Sequence, residues 1–157
     1  MKNSLNHVWS IICSNSLLDK DTNNLSFFNA IEKFTFKIQE SELEKIKKDN
    51  KEDIIFQIPF QVVSRFARQD TGKVETLDYK VMLISPEGKI ISTSNQKLAI
   101  EKNIKNFRVR TNFQSLPVSK SGDYLIAIEF KDLIENRFNR VAELPIEVVL
   151  EIIPDKK

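Results

Sequence analysis

Asp53-Ile54-Ile55-Phe56-Gln57-Ile58-Pro59-Phe60-Gln61-Val62-Val63-Ser64-Arg65-Phe66 alternates apolar and polar side chains along most of its length. On an extended chain this places Phe56, Ile58, Phe60, Val62 and Phe66 on one side and Gln57, Pro59, Gln61 and Arg65 on the other, the signature of a half-buried strand. Pro59 has no amide to give to a ladder, so an edge position or a bulge is expected there. Lys33 to Ile38 repeats the pattern, with Phe34, Phe36 and Ile38 opposed to Lys33, Thr35 and Lys37. The same reading extends to Asn6–Cys13, Leu25–Ile31, Leu77–Ser85, Lys89–Ile100, Asn106–Gln114, Tyr124–Lys131 and Val141–Ile153, for about nine strands in all.

The segments between them carry hairpin chemistry. Asp70-Thr71-Gly72-Lys73 and Ser85-Pro86-Glu87-Gly88-Lys89 place glycine where a turn needs positive φ. Ser41–Lys48 departs from the β pattern: Ser41 and Glu44 form a capping box, with Leu43 and Ile46 as the only apolar stripe, which predicts one short helix crossing between sheets. Many short strands and a single helix indicate an all-β fold, a two-sheet antiparallel sandwich in one domain over residues 1–157, because α/β folds alternate helices with strands. The expected core is Trp9, Phe34, Phe36, Phe56, Phe60, Phe107, Tyr124, Ile128 and Val148.

A chain of 157 residues holds one core without metals or disulfides. Its 24 basic and 22 acidic residues leave a net charge of +2, which gives no reason to expect nucleic acid as a partner. Cys13 is the single cysteine, so neither an internal disulfide nor a cysteine-based zinc site can form, and a reducing compartment, the cytoplasm, is expected. No run approaches the ~20 apolar residues of a membrane-spanning helix. The Ile, Lys and Asn bias suggests an AT-rich genome.

Catalytic and cofactor chemistry find little support. His7 and Cys13, six residues apart on one strand, are separated by roughly 20 Å, too far for a nucleophile pair. Trp9, Ile11 and Cys13 are expected to line the core instead. Asp19-Lys20-Asp21-Thr22-Asn23 imitates the start of a calcium loop, but Asn24 stands where the sharp turn needs glycine and Ala30 where the closing glutamate belongs. Thr71-Gly72-Lys73 lacks the remainder of a phosphate loop. The sequence therefore predicts no enzyme, no metal and no cofactor.

Two surfaces are candidates for recognition. In Phe107-Arg108-Val109-Arg110-Thr111-Asn112-Phe113, alternation turns Phe107, Val109 and Phe113 inward and aligns Arg108, Arg110 and Asn112 outward, where two arginines could clamp a carboxylate or phosphate. The competing expectation is a solvated face with ion pairs to glutamates such as Glu129 or Glu147. The second surface follows from strands that are apolar on both sides, which places Met82, Ile84, Val149 and Ile153 on an outer face available to a protein partner or a second copy in a homodimer.

Ser119-Lys120-Ser121-Gly122-Asp123-Tyr124-Leu125-Ile126-Ala127-Ile128 looks like the Gly-x-Tyr opening of a late strand in immunoglobulin-like sandwiches. Together with Val8–Cys13, Asn24–Ile31 and the Ser85-Pro86-Glu87-Gly88 turn, it resembles an uncharacterised bacterial family of small immunoglobulin-like sandwich proteins, a domain of unknown function. The resemblance implies the fold and a tyrosine corner at Tyr124, and it implies no activity. The function expected is a non-enzymatic protein-binding or assembly module, with an enzyme or carbohydrate-binding domain built from loops as the alternative.

Overall fold

The computed structural model describes residues 5–49, 51–132 and 136–155. Among these the chain is mostly strand: β1 (Leu5–Leu18), β2 (Leu25–Ala30), β3 (Lys33–Gln39), α1 (Glu40–Lys48), β4 (Ile54–Phe56), β5 (Phe60–Arg68), β6 (Glu75–Ile84), β7 (Ile90–Ile100), β8 (Asn106–Phe113), β9 (Leu116–Val118), β10 (Gly122–Asp132) and β11 (Arg137–Ile153). A four-stranded front sheet has the order β2-β1-β5-β8, a five-stranded back sheet the order β3-β11-β10-β6-β7, and β4 pairs with β9. The all-β expectation holds. The strand count is eleven rather than nine among the described residues.

The difference arises at identifiable residues. Pro59 neither sits at an edge nor makes a bulge. It ends the ladder, splitting the Asp53–Phe66 stretch into β4, paired with β9, and β5, the central partner of β1 and β8. The antiparallel expectation fails at one ladder: β3 runs parallel to β11, from Lys33 opposite Glu147 to Gln39 opposite Ile153. Strands so far apart in sequence have no turn to fix their direction. The helix lacks the predicted cap as well. It starts at Glu40 after Gln39, which makes no capping bond, and the Ser41 hydroxyl reaches Asp155 Oδ1 at 2.6 Å.

Front and back sheets share one core of Ile12, Val62, Phe66 and Val109 from the front and Phe34, Tyr79, Val81, Tyr124, Ile126, Ile128, Phe130, Ile146 and Val148 from the back. Phe66 bridges them, its ring edge-on to Phe130 at 4.9 Å and to Tyr79 at 6.1 Å. Aromatic pairs of this geometry add to the area they bury. Of the expected core, Phe34, Phe36, Phe60, Tyr124, Ile128 and Val148 are buried, while Phe56 and Phe107 pack at its margin.

Trp9 is the exception, and a bulge explains it. Register shifts between His7, opposite Phe66, and Trp9, opposite Arg65. The extra residue, Val8, turns Trp9, Ile11 and Cys13 to the outer face while His7 packs edge-on against Phe66 at 5.5 Å. Cys13 is nonetheless fully buried, opposite Gln61 and outside the shared core.

Tyr124 is buried with its hydroxyl tied to the backbone just before β10. Its hydroxyl donates to the Lys120 carbonyl at 3.0 Å and accepts from the Ser119 amide at 3.1 Å. Gly88 has φ 82 in a turn closed by Gly88 N to Ser85 O at 2.9 Å, as the sequence predicts. Gly72 does not use positive φ; Asp70 Oδ1 accepts its amide at 2.9 Å and holds the turn instead.

Candidate functional site

β8 is the last strand of the front sheet, and its alternation is as the sequence indicates. Val109, Thr111 and Phe113 are buried, while Arg108, Arg110 and Asn112 stand exposed on the outer face. Register then adds a residue that the sequence did not reveal. Arg65 on β5 lies directly opposite Arg108, and Val63 opposite Arg110. Directly opposite residues share a face, so Arg65, Arg108 and Arg110 form one cationic group over β5 and β8. In the sequence Arg65 is only the polar half of a strand, because its partner is set by a pairing between segments about forty residues apart.

The other wall comes from the β1–β2 hairpin. Beyond Cys13 the strand turns so that Ser16 is buried, with its hydroxyl donating to Gln61 Oε1 at 2.7 Å. The turn after β1 is held by Asp19, whose carboxylate accepts the Asp21 amide at 2.9 Å and the Thr22 hydroxyl at 2.7 Å. The stretch that imitates a calcium loop is thus a self-capped turn. Asn23 in that turn adopts φ 56. Arg108 Nη2 donates to the Asn23 carbonyl at 2.8 Å, and Arg110 Nη2 to the Ser16 carbonyl at 3.2 Å.

Hairpin and strand enclose a groove of about 550 Å³. Leu18, Asn23 and Leu25 form one side, Val63 and Arg65 the floor, and Arg108 and Arg110 the far side; among the described residues no carboxylate lines it. Among the described residues, none of the three arginines forms an ion pair. The expected glutamate partners are engaged elsewhere: Glu129 binds Lys80 at 2.7 Å and Arg140 at 3.5 Å, and Glu147 binds Lys33 at 3.0 Å.

Those pairs mark the contrast with the outer face of the back sheet. There Lys33–Glu147, Lys37–Glu151, Lys80–Glu129 and Lys97–Asp78 match cation to anion, and Lys80 Nζ also sits 4.1 Å from the Phe138 ring centroid. Met82, Ile84, Val149 and Ile153 all belong to this face. Ile84 and Met82 oppose Leu125 and Ala127, with Pro145 beyond Leu125, whereas Val149 and Ile153 lie further along β11 with Glu147 and Glu151 between. Met82 is buried and the other three are half-buried. The helix packs chiefly on β3 and buries none of its own residues.

A second polar feature escaped the sequence reading. His7 Nε2 lies 2.8 Å from Ser10 Oγ, Ser10 donates to Ser64 Oγ at 2.7 Å, and Ser64 is 3.5 Å from the Tyr79 hydroxyl. Ser64 and Tyr79 are buried, and burial pulls the His7 pKa below its ordinary value while pushing the Tyr79 phenol up. No signal could have shown it, since the bulge at Val8 is what brings His7 to the inner face. The chain satisfies polar groups between sheets, as buried hydroxyls require. Cys13, on the opposite face of β1 from His7, has its thiol pKa raised by burial. Among the described residues, no group of three or more His, Cys, Asp or Glu side chains is gathered as a metal site, and no helix is long and apolar enough to cross a membrane.

No protein-family model matches the chain, and no curated protein does. Among solved structures it is similar to one described as the crystal structure of the C-terminal domain of wzt, with a TM-score of 0.50 and 9% identity, covering 99% of this chain and 77% of that one. At such identity the likeness concerns fold alone.

Proposed function

We propose that this chain is a non-enzymatic, cytoplasmic binding module, an immunoglobulin-like two-sheet sandwich that holds a partner through its carboxylate or phosphate groups at the groove on the front sheet. One observation carries the reading: Arg65 and Arg108 stand directly opposite each other, with Arg110 alongside and no carboxylate between them. Like charges in that position destabilise a sheet by up to about 1 kcal/mol. An anion turns the repulsion into charge-assisted hydrogen bonds, and the guanidinium fork suits carboxylate and phosphate equally. The neutralised outer face of the back sheet offers no comparable demand. A binding role is favoured over catalysis because the Cys13 thiol is shut away from solvent and the His7–Ser10 contact runs inward to a buried tyrosine.

The test is thermal melting with inorganic phosphate or citrate at constant ionic strength, comparing the natural chain with Arg65→Gln/Arg108→Gln/Arg110→Gln. Excluded salts strengthen burial in both proteins, so the difference between them is the readout. A bound anion raises the melting temperature of the natural chain alone. Equal shifts would refute the groove as an anion site.

A further inference from the structure

We propose that the occupant of this site is an extended acidic peptide, of alternating acidic and apolar residues, that adds to the front sheet as a new strand along β8. The proposal rests on the reading of the groove as an anion site and names its partner. β8 ends the order β2-β1-β5-β8, so among the described residues one side of its backbone has no strand to pair with. An exposed edge of this kind is a template for an added strand.

Several features select β8 and the character of the guest. Its arginines recur every two residues, at 108 and 110, which is the period of a strand. Both guanidiniums reach back across β5 to the Asn23 and Ser16 carbonyls, and an added strand offers them carboxylates at its own i and i+2 positions on the same outer face, to which they turn over β8. Each guanidinium has five N–H donors, and contacts to Asn23 and Ser16 leave several free. The intervening side chains of the guest point the other way, toward the seam between β8 and β7. That seam holds a second groove of about 350 Å³, with Leu98, Ala99, Ile104 and Phe107 in its lining. Apolar residues fit there. A second copy of this chain pairing through its own β8 brings arginine against arginine, which disfavours self-association at this edge.

The experiment uses the full chain and a synthetic peptide of alternating Glu and Val, with two controls: the same sequence N-methylated at alternate amides, and a Lys/Val version. The Glu/Val peptide is expected to bind and to slow amide hydrogen exchange in β8 specifically. N-methylation, which keeps the charge and removes ladder donors, should weaken binding tenfold or more. Arg108→Glu/Arg110→Glu, confirmed folded by its melting curve, should lose the Glu/Val peptide and gain the Lys/Val one. Equal binding of the N-methylated peptide would overturn strand addition while leaving the anion site intact, as would failure of every peptide where phosphate or citrate still binds. Failure of phosphate, citrate and peptides together would overturn both, leaving the edge arginines as guards against aggregation.

Discussion

The guanidinium of Arg68 is fully buried at the end of β5, and its neighbours allow a sharp test of how the fold tolerates it. Nη1 lies 3.7 Å from Glu75 Oε2, with the Glu75 side chain 19% exposed, and Nη2 donates to the Glu101 carbonyl at 3.0 Å. Among the described residues, Nε and Nη1 have no hydrogen-bond partner. Glu75→Gln removes the compensating charge and leaves the cation stranded. At 3.7 Å and an effective dielectric of 20 the Coulomb interaction is about 4.5 kcal/mol, an upper figure that the partial exposure of Glu75 reduces. Breaking one side of a buried pair typically costs 3–5 kcal/mol, so we expect a loss of about 3 kcal/mol. For a domain of this size that lowers the Tm by roughly 6–12 °C. Arg68→Met should cost less, because methionine fills the space of the arginine stem and the freed Glu75 can turn to water. Urea unfolding of both variants checks the order. If Glu75→Gln loses less than about 1 kcal/mol, or Arg68→Met is the more damaging, the reasoning fails, since a buried unpaired cation should be the worse state.

Two further predictions follow from features already described. Tyr124→Phe removes the bonds to Lys120 O and Ser119 N while keeping the ring, and should cost about 1–2 kcal/mol in urea unfolding, since each net bond contributes roughly 1 kcal/mol. An unchanged midpoint would mean that water replaces the hydroxyl fully. The lowered pKa of His7, caused by burial, makes stability level above its ordinary value of 6.5 and falling below it, because there the unfolded chain binds a proton that the folded chain refuses. Melting curves between pH 8 and 5 should show this slope, and His7→Gln should flatten it.

Strands are legible here because a half-buried sheet writes itself as alternation: Phe34, Phe36 and Ile38, or Val109 and Phe113, point inward as their spacing dictates. What alternation does not encode is where the phase slips. The bulge at Val8 reverses every later assignment on β1, so Trp9 and Cys13 exchange faces with Ile12. The site was half visible for the same reason. Arg108 and Arg110 announce themselves within one strand, but Arg65 joins them only through register, and register comes from pairing between distant segments. Met82, Ile84, Val149 and Ile153 show the complementary case. They share the outer face, yet Glu147 parts Met82 and Ile84 from Val149, and Glu151 parts Val149 from Ile153.

The parallel ladder between β3 and β11 has a consequence for how the chain reaches this state. Lys33 meets Glu147 across 114 residues, and no hairpin shortens that search. Closure of so large a loop must precede any reward from the ladder, so this pairing is a late event in folding. During synthesis β3 leaves the ribosome with Phe34, Phe36 and Ile38 along one side and waits while almost every other strand is made. Throughout that interval the nascent chain displays a sticky apolar ribbon of a kind that chaperones exist to shield. Because the ladder closes after most of the other pairings, substitutions that weaken the β3–β11 ladder should accelerate unfolding while leaving the folding rate nearly unchanged.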